Sequence, residues 1–217
     1  LPSSWQPTIP AHDPAQSWHP DLRWHAALKN LSGSRVTRVV GQPPRDRKQN
    51  EPAFVPTEAK VAFVNALSRT GALDIEVSAF VSPRWVPQLQ DAKEVFQAIQ
   101  RHDSVTYSAL VPNEKGLERA LEAKVEKIAV FTAASEDFNN HNINTSIDGS
   151  FDRFAPVVKC AQEMNLPYRG YVSAAFYCPY AGYIEPAKAA DVIERIADVG
   201  VCDVSIGDTI GQASPDE

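Results

Sequence analysis

Lys127-Ile128-Ala129-Val130-Phe131-Thr132 is a short β-branched and aromatic run with a helical pattern on either side, and it reads as a buried strand. Working outward, five more runs share its character, at 36–40, 73–77, 105–111, 168–175 and 202–206. Between them lie stretches of helical period. Thr57 precedes an amphipathic helix predicted over 58–69, with Val61, Phe63, Val64 and Leu67 apolar and Gly71 as its stop. Further helices are predicted over 91–101, 113–123, 148–165 and 185–200. The 148–165 helix presents Phe151, Phe154, Val157, Val158 and Ala161 on one face, and the 185–200 helix presents Ala189, Val192, Ile193 and Ile196. Strand then helix, five times over, followed by a sixth strand, argues for a parallel sheet with right-handed crossovers.

An open doubly wound sheet and a barrel both satisfy that order. No G-x-G-x-x-G follows a strand and no Walker-type lysine loop is present, so a nucleotide-binding open sheet loses support. A barrel gathers polar residues from the C-terminal ends of several strands into one mouth. Arg45 and Asp46 follow the first strand, Glu76 lies on the second and Asn113 follows the third. Ser135 and Glu136 follow the fourth, Tyr171 and Ser173 lie on the fifth, and Asp208 follows the sixth. The expected fold is therefore α/β, of the TIM (β/α)8 barrel family. It is expected to be incomplete, because 217 residues supply about six strands and five helices and a full barrel takes about 250 residues.

Composition narrows the functional classes. The net charge of −6 argues against nucleic acid and anionic membranes as partners, and no run of about 18 apolar residues is present. Cys160, Cys178 and Cys202 form no C-x-x-C pair, which fits reduced thiols, with Cys160 and Cys202 expected in the core. Residues 1–34 carry five prolines, three tryptophans and His12, His19 and His25 without apolar periodicity, and are expected to form an irregular arm preceding a barrel domain over 35–217. His141 is placed in a polar loop at the mouth.

Three places point to chemistry. Pro44-Arg45-Asp46-Arg47-Lys48-Gln49-Asn50-Glu51 combines a carboxylate suited to a hard divalent cation with a guanidinium suited to an enolate or carbonyl oxygen, or else forms a solvated turn with local ion pairs. Glu76 sits within a parallel strand, where a carboxylate must be paired, metal-bound or raised in pKa. Asp208, in Ser205-Ile206-Gly207-Asp208-Thr209-Ile210-Gly211, stands between two glycines after a strand. That arrangement suits close backbone approach to a ligand, or a helix N-cap.

Ile75-Glu76, Phe80-Val81-Ser82-Pro83-Arg84-Trp85-Val86-Pro87-Gln88, Ala134-Ser135-Glu136, Asn142-Ile143-Asn144, Arg169-Gly170-Tyr171-Val172-Ser173, Cys178-Pro179-Tyr180 and Gly207-Asp208-Thr209-Ile210-Gly211 together resemble the 3-hydroxy-3-methylglutaryl-CoA lyase family, in its order and spacing. The resemblance implies a metal-dependent TIM-barrel lyase that cleaves 3-hydroxy-3-methylglutaryl-CoA to acetyl-CoA and acetoacetate, in leucine degradation and ketone-body formation. It implies that Arg45 stabilises the oxyanion, that Asp46 ligates Mg2+ or Mn2+, and that Glu76 and Asp208 serve proton transfer. It further implies that Gln49, Tyr171 and Ser205 line the acyl-CoA pocket.

The loop departs from the family in carrying Arg47 and Lys48 where the family has Gly-Leu. The family's other metal ligands and its cysteine loop are expected past Glu217, so the chain is read as truncated after its sixth strand, with little or no activity in isolation. Its open strand edges are expected to favour a homodimer or other self-association. The alternatives are another acyl-CoA or 2-oxoacid lyase or aldolase of the same superfamily, and a non-catalytic remnant. The expected compartment is the cytoplasm of a bacterium, or the mitochondrial matrix of a eukaryote.

Overall fold

The computed structural model describes residues 40–41 and 54–214. Six strands form one parallel sheet: β1 (Val40–Gly41), β2 (Asp74–Ala79), β3 (Thr106–Leu110), β4 (Lys127–Ala133), β5 (Tyr168–Ser173) and β8 (Val204–Ile206). Their spatial order follows the chain, β1-β2-β3-β4-β5-β8, with every pair parallel. A doubly wound sheet reverses direction at a switch point; this sheet never does, which is the topology of a barrel wall. Among the described residues the helices are α1 (Thr57–Leu67), α2 (Ala92–Ala98), α3 (Glu114–Glu122), α4 (Glu136–Ile143), α5 (Ile147–Glu163) and α6 (Pro186–Asp198). A two-stranded antiparallel hairpin, β6 (Tyr177–Cys178) and β7 (Gly182–Tyr183), sits between β5 and α6.

The outward strand faces supply the apolar core. Ile75, Val77, Tyr107, Ala109, Ile128, Val130 and Val172 are buried, and α5 packs on β4 through Phe154, Val157, Val158 and Ala161. Ala189, Val192, Ile193 and Ile196 of α6 cover β5 in the same way, as their spacing predicts. Close packing depends on two glycines. A Cβ on Gly170 would come within 3.1 Å of Ile196 Cγ2, and one on Gly116, in the first turn of α3, would stand 2.8 Å from the Phe80 carbonyl oxygen.

The inward faces are polar, because period-two alternation sends every other residue of each strand to the interior. At the N-terminal end, Lys127 Nζ donates to Asp74 Oδ2 (3.1 Å) and to Asp203 Oδ2 (2.8 Å). Ser108 Oγ donates to Asp74 Oδ1 (2.8 Å), and Arg169 Nε and Nη2 donate to Asp203 Oδ2 at 3.2 and 2.9 Å. Lys127 and Asp74 are both buried, so removal of either strands a charge in the interior, a defect of about 3–5 kcal/mol.

Several predicted elements differ. Thr57 is the first residue of α1, not its cap; Pro56 precedes it and the Thr57 hydroxyl donates to Asp91 Oδ2 (2.7 Å). Of its predicted apolar face only Val64 is buried, flanked one turn away on each side by buried Lys60 and Ser68, while Phe63 is exposed. α2 is shorter than predicted, since Ile99 is already extended. The polar loop predicted around His141 is helix α4, N-capped by Ser135 and ended by Asn144 at φ 50°. Cys202 is exposed, not in the core, and Cys160 is only partly buried. Of the predicted 36–40 strand only Val40 is described, and the 1–34 arm lies outside the described residues.

Two predictions follow from this packing. Gly116→Ala should destabilise the fold by about 1–3 kcal/mol, read from urea denaturation, because the new methyl meets backbone; unaltered stability would contradict it. Partial burial pushes the Asp203 carboxyl up, but hydrogen bonds and charge from Lys127 and Arg169 outweigh it and hold it below its ordinary 3.8. Such a group stabilises the native state above its unfolded pKa, and that contribution is lost as pH falls through the native value. Asp203→Asn should therefore lower the urea midpoint at pH 7 more than at pH 3; an equal loss at both would count against the assignment.

Candidate active site

A cleft of about 980 Å³ opens at the C-terminal ends of the strands. Its floor is formed by Leu110, Phe131, Tyr171, Ser173 and Ser205, and its rim by Trp85, Asn113, Phe138, His141, Arg153 and Asp208. The apolar wall from Val81, Val86 and Leu89 comes from the loop after β2. That loop is held from behind by α1: Lys60 Nζ donates to Asp91 Oδ1 (2.6 Å) and to the Gln88 carbonyl, and Gln88 Oε1 accepts from the Val55 amide (3.1 Å). Trp85, 76% exposed, projects from the loop with its ring in solvent.

Glu76 is fully buried on the inner face of β2, opposite Ser108 of β3. The register slips by one residue just beyond it, between Glu76 and Ser78, as at a β-bulge. Its Oε2 accepts a 2.7 Å hydrogen bond from the Tyr171 hydroxyl of β5. Tyr171 lies beside Phe131 of β4 and Ser205 of β8 in the sheet register, which puts its side chain among the cleft-lining residues, with Glu76 buried behind it. Asp208 stands past the end of β8. Its Oδ1 accepts from the Gln212 amide (3.1 Å) and its Oδ2 from the Ala213 amide (3.0 Å), while the Thr209 hydroxyl accepts from the Ala174 amide (2.7 Å). The Gly-Asp-Thr-Ile-Gly segment is thus tied down both within its own turn and to β5.

The structure brings Glu76, Tyr171, Ser205 and Asp208 of the predicted set to this one end of the sheet. Arg45, Asp46 and Gln49 lie outside the described residues. Other polar residues expected at the mouth have structural tasks. The Asn113 side chain caps α3 by accepting from the Gly116 amide (3.0 Å), Ser135 caps α4, and Glu136 Oε2 accepts from the Ile147 amide (2.9 Å) at the start of α5. Sequence reasoning missed Arg153, whose guanidinium donates to the carbonyls of Ile143 and Asn144 on the rim. It also missed the His141–Tyr180 ring stack, with centroids 4.0 Å apart. Among the described residues, no group of three or more His, Cys, Asp and Glu side chains is placed to hold a metal ion. Among them also, no helix is long and apolar enough to cross a membrane.

Comparison with known proteins agrees with this geometry. The HMGL-like family model matches residues 38–217. The cytoplasmic 3-hydroxy-3-methylglutaryl-CoA lyase of Rattus norvegicus is 46% identical over 94% of this chain, and the hydroxymethylglutaryl-CoA lyase of Pseudomonas mevalonii 47% identical over 84%. The crystal structure of the HMG-CoA lyase from Brucella melitensis superposes with a TM-score of 0.80 at 47% identity, over 84% of this chain and 65% of that one. The chain spans 57% and 61% of the length of the two curated relatives. Agreement in motif order, in sheet topology and across nearly the whole described sequence establishes that this chain belongs to the HMGL-like family and carries part of its TIM barrel.

Proposed function

We propose that this chain forms the larger part of a 3-hydroxy-3-methylglutaryl-CoA lyase, a carbon–carbon lyase that releases acetyl-CoA and acetoacetate. The observation that carries the reading is the buried Glu76 carboxylate, bonded by Tyr171 of the floor of a cleft framed by family motifs, in a chain 46–47% identical to proteins named as this lyase.

The reaction removes a proton from the C3 hydroxyl of the substrate, breaks the C2–C3 bond and leaves its electron pair on C2 as a thioester enolate. C3 becomes the ketone carbon of acetoacetate, and C2 takes up a proton to give acetyl-CoA. A base near the hydroxyl and a proton donor near C2 are required, in a site that excludes bulk water. Glu76 is a buried carboxylate able to take part in the first transfer, with Tyr171 holding it in place and presenting a phenol to the cleft. Ser205, beside Tyr171, is suited to hydrogen-bond the acyl part, and Asp208 at the mouth to serve the proton network. We assign Arg45 to the oxyanion and Gln49 to the substrate pocket by resemblance. The apolar wall and Trp85 offer a surface for the pantetheine and nucleotide parts of an acyl-CoA.

Mg2+ or Mn2+ is the cation the family resemblance implies, with Asp46 as its ligand. Asp208 is the acidic side chain described at the mouth, and both its oxygens already accept backbone amides. The described residues do not by themselves compose a cation site, and Asp46 lies outside them. The compartment we propose follows the source, bacterial cytoplasm or mitochondrial matrix; the relatives include lyases named as cytoplasmic and as mitochondrial.

The test is acetoacetate release from 3-hydroxy-3-methylglutaryl-CoA by the full-length protein with Mg2+. Turnover is expected, abolished by a chelator and restored by added metal; no acetoacetate under any of these conditions would overturn the reading. Glu76→Gln should lower kcat by about 10²–10⁴-fold, the usual range for loss of a general acid or base. A variant with wild-type kcat would remove Glu76 from the chemistry.

A further inference from the structure

The loop after β2, which makes the apolar wall of the cleft, is pinned at each end by a cation on a main-chain carbonyl. At its start, Arg119 Nη1 of α3 donates to the Val81 carbonyl (3.2 Å). At its end, Lys60 Nζ of α1 donates to the Gln88 carbonyl and to Asp91 Oδ1 (2.6 Å). Asp91 Oδ2 accepts from the Thr57 hydroxyl (2.7 Å), so α1 engages both oxygens of that carboxylate. Between the pins, the Trp85 and Val86 amides donate to the Ser82 carbonyl (3.0 and 3.2 Å) in a turn that leaves Trp85 in solvent. Val86 and Leu89 face the cleft.

We infer that Lys60 is a positioning residue for substrate binding, a buried cation that fixes the wall against which the acyl-CoA arm lies. Lys60 is 2% exposed, on the face of α1 that also buries Val64 and Ser68. Taking an ammonium out of water is costly, and apolar replacement of a buried ion pair is commonly neutral or stabilising. Packing alone therefore gives no reason for a lysine there. What an apolar side chain cannot do is hold a carbonyl. An ammonium has three donors and no acceptor. Lys60 directs its donors to the Gln88 carbonyl and Asp91, and its charge stands 5.1 Å from the centroid of the Phe54 ring, within cation–π range. The loop has no regular structure beyond the Pro87–Leu89 turn, so its place relative to the cleft floor is set by these bonds from α1. The inference rests on the proposed lyase reading for the identity of the ligand.

The experiment compares Lys60→Met with the double variant Lys60→Met/Asp91→Asn in the full-length protein. The single variant leaves Asp91 without its cation and should lower the urea midpoint. The double variant removes that unpaired charge and should recover most of the midpoint. Neither restores the bond to the Gln88 carbonyl. Both should therefore raise KM for 3-hydroxy-3-methylglutaryl-CoA about 10-fold with kcat within about threefold, as loss of uniform binding does. Binding of acetyl-CoA, read by calorimetry, should weaken to the same degree. A further readout needs no ligand: the 19F resonance of Trp85 in protein labelled with 5-fluorotryptophan, assigned with Trp85→Phe, should move in both variants. A KM that returns to wild type with the midpoint in the double variant would reduce Lys60 to a structural support and overturn the inference. An unmoved Trp85 resonance, or a loss confined to kcat, would overturn it too. Should Lys60→Met fail to fold, the double variant carries every arm. A wild-type protein that neither turns over substrate nor binds acetyl-CoA would refute the lyase reading and leave the resonance arm to judge Lys60.

Discussion

The hydrogen bond from Tyr171 to Glu76 joins two strands that are not neighbours, across an interior in which neither group reaches solvent easily. A carboxylate at that depth is tolerated only when the groups around it satisfy its oxygens. The rest of the interior is arranged accordingly. Lys127 and Arg169 answer Asp74 and Asp203 one layer below, and Ser108 supplies a neutral donor where a third cation would be unopposed. An all-apolar interior would be more stable for a barrel of this size.

The same division of labour runs through the loops. The Ser82–Leu89 wall of the cleft has no regular structure beyond a single 3-10 turn at Pro87–Leu89, and its position is set by contacts with α1. Buried Lys60 binds Asp91 and the Gln88 carbonyl, and the Gln88 side chain holds Val55. Val55 and α1 follow directly on the segment that carries Arg45, Asp46 and Gln49. The clip therefore ties Val55 and the start of α1 to the apolar wall of the cleft.

Much of this was legible in the sequence, for physical reasons. The five described strand runs after the first each appeared within one or two residues of their observed positions, because β-branched runs between helical periods have few other uses. α5 and α6 were legible because their buried faces are aliphatic and aromatic, apart from Ser150 of α5. α4 was not: Glu136-Asp137-Phe138-Asn139-Asn140-His141 has the composition of a loop, and only the Ser135 cap marks it as a helix. α1 misled in the opposite direction, because its buried stripe includes a lysine and a serine that are satisfied by distant partners. At the site, Glu76, Tyr171 and Asp208 stood out as polar residues on or just after strands, and Ser205 followed from family resemblance. Arg169, Lys127, Asp74 and Asp203 went unassigned, although Asp74 and Glu76 share a period-two face that marks a polar barrel interior. Their pairing depends on which strands face one another, and that information is tertiary.

Glu76 and Tyr171 act as one unit, the carboxylate buried behind the phenol at the cleft floor. A double-mutant cycle on folding free energy, with Glu76→Gln, Tyr171→Phe and the double variant, tests it most directly. A coupling of about 1–3 kcal/mol is expected for a buried hydrogen bond to a carboxylate. Additive losses, with coupling below about 0.3 kcal/mol, would contradict the account.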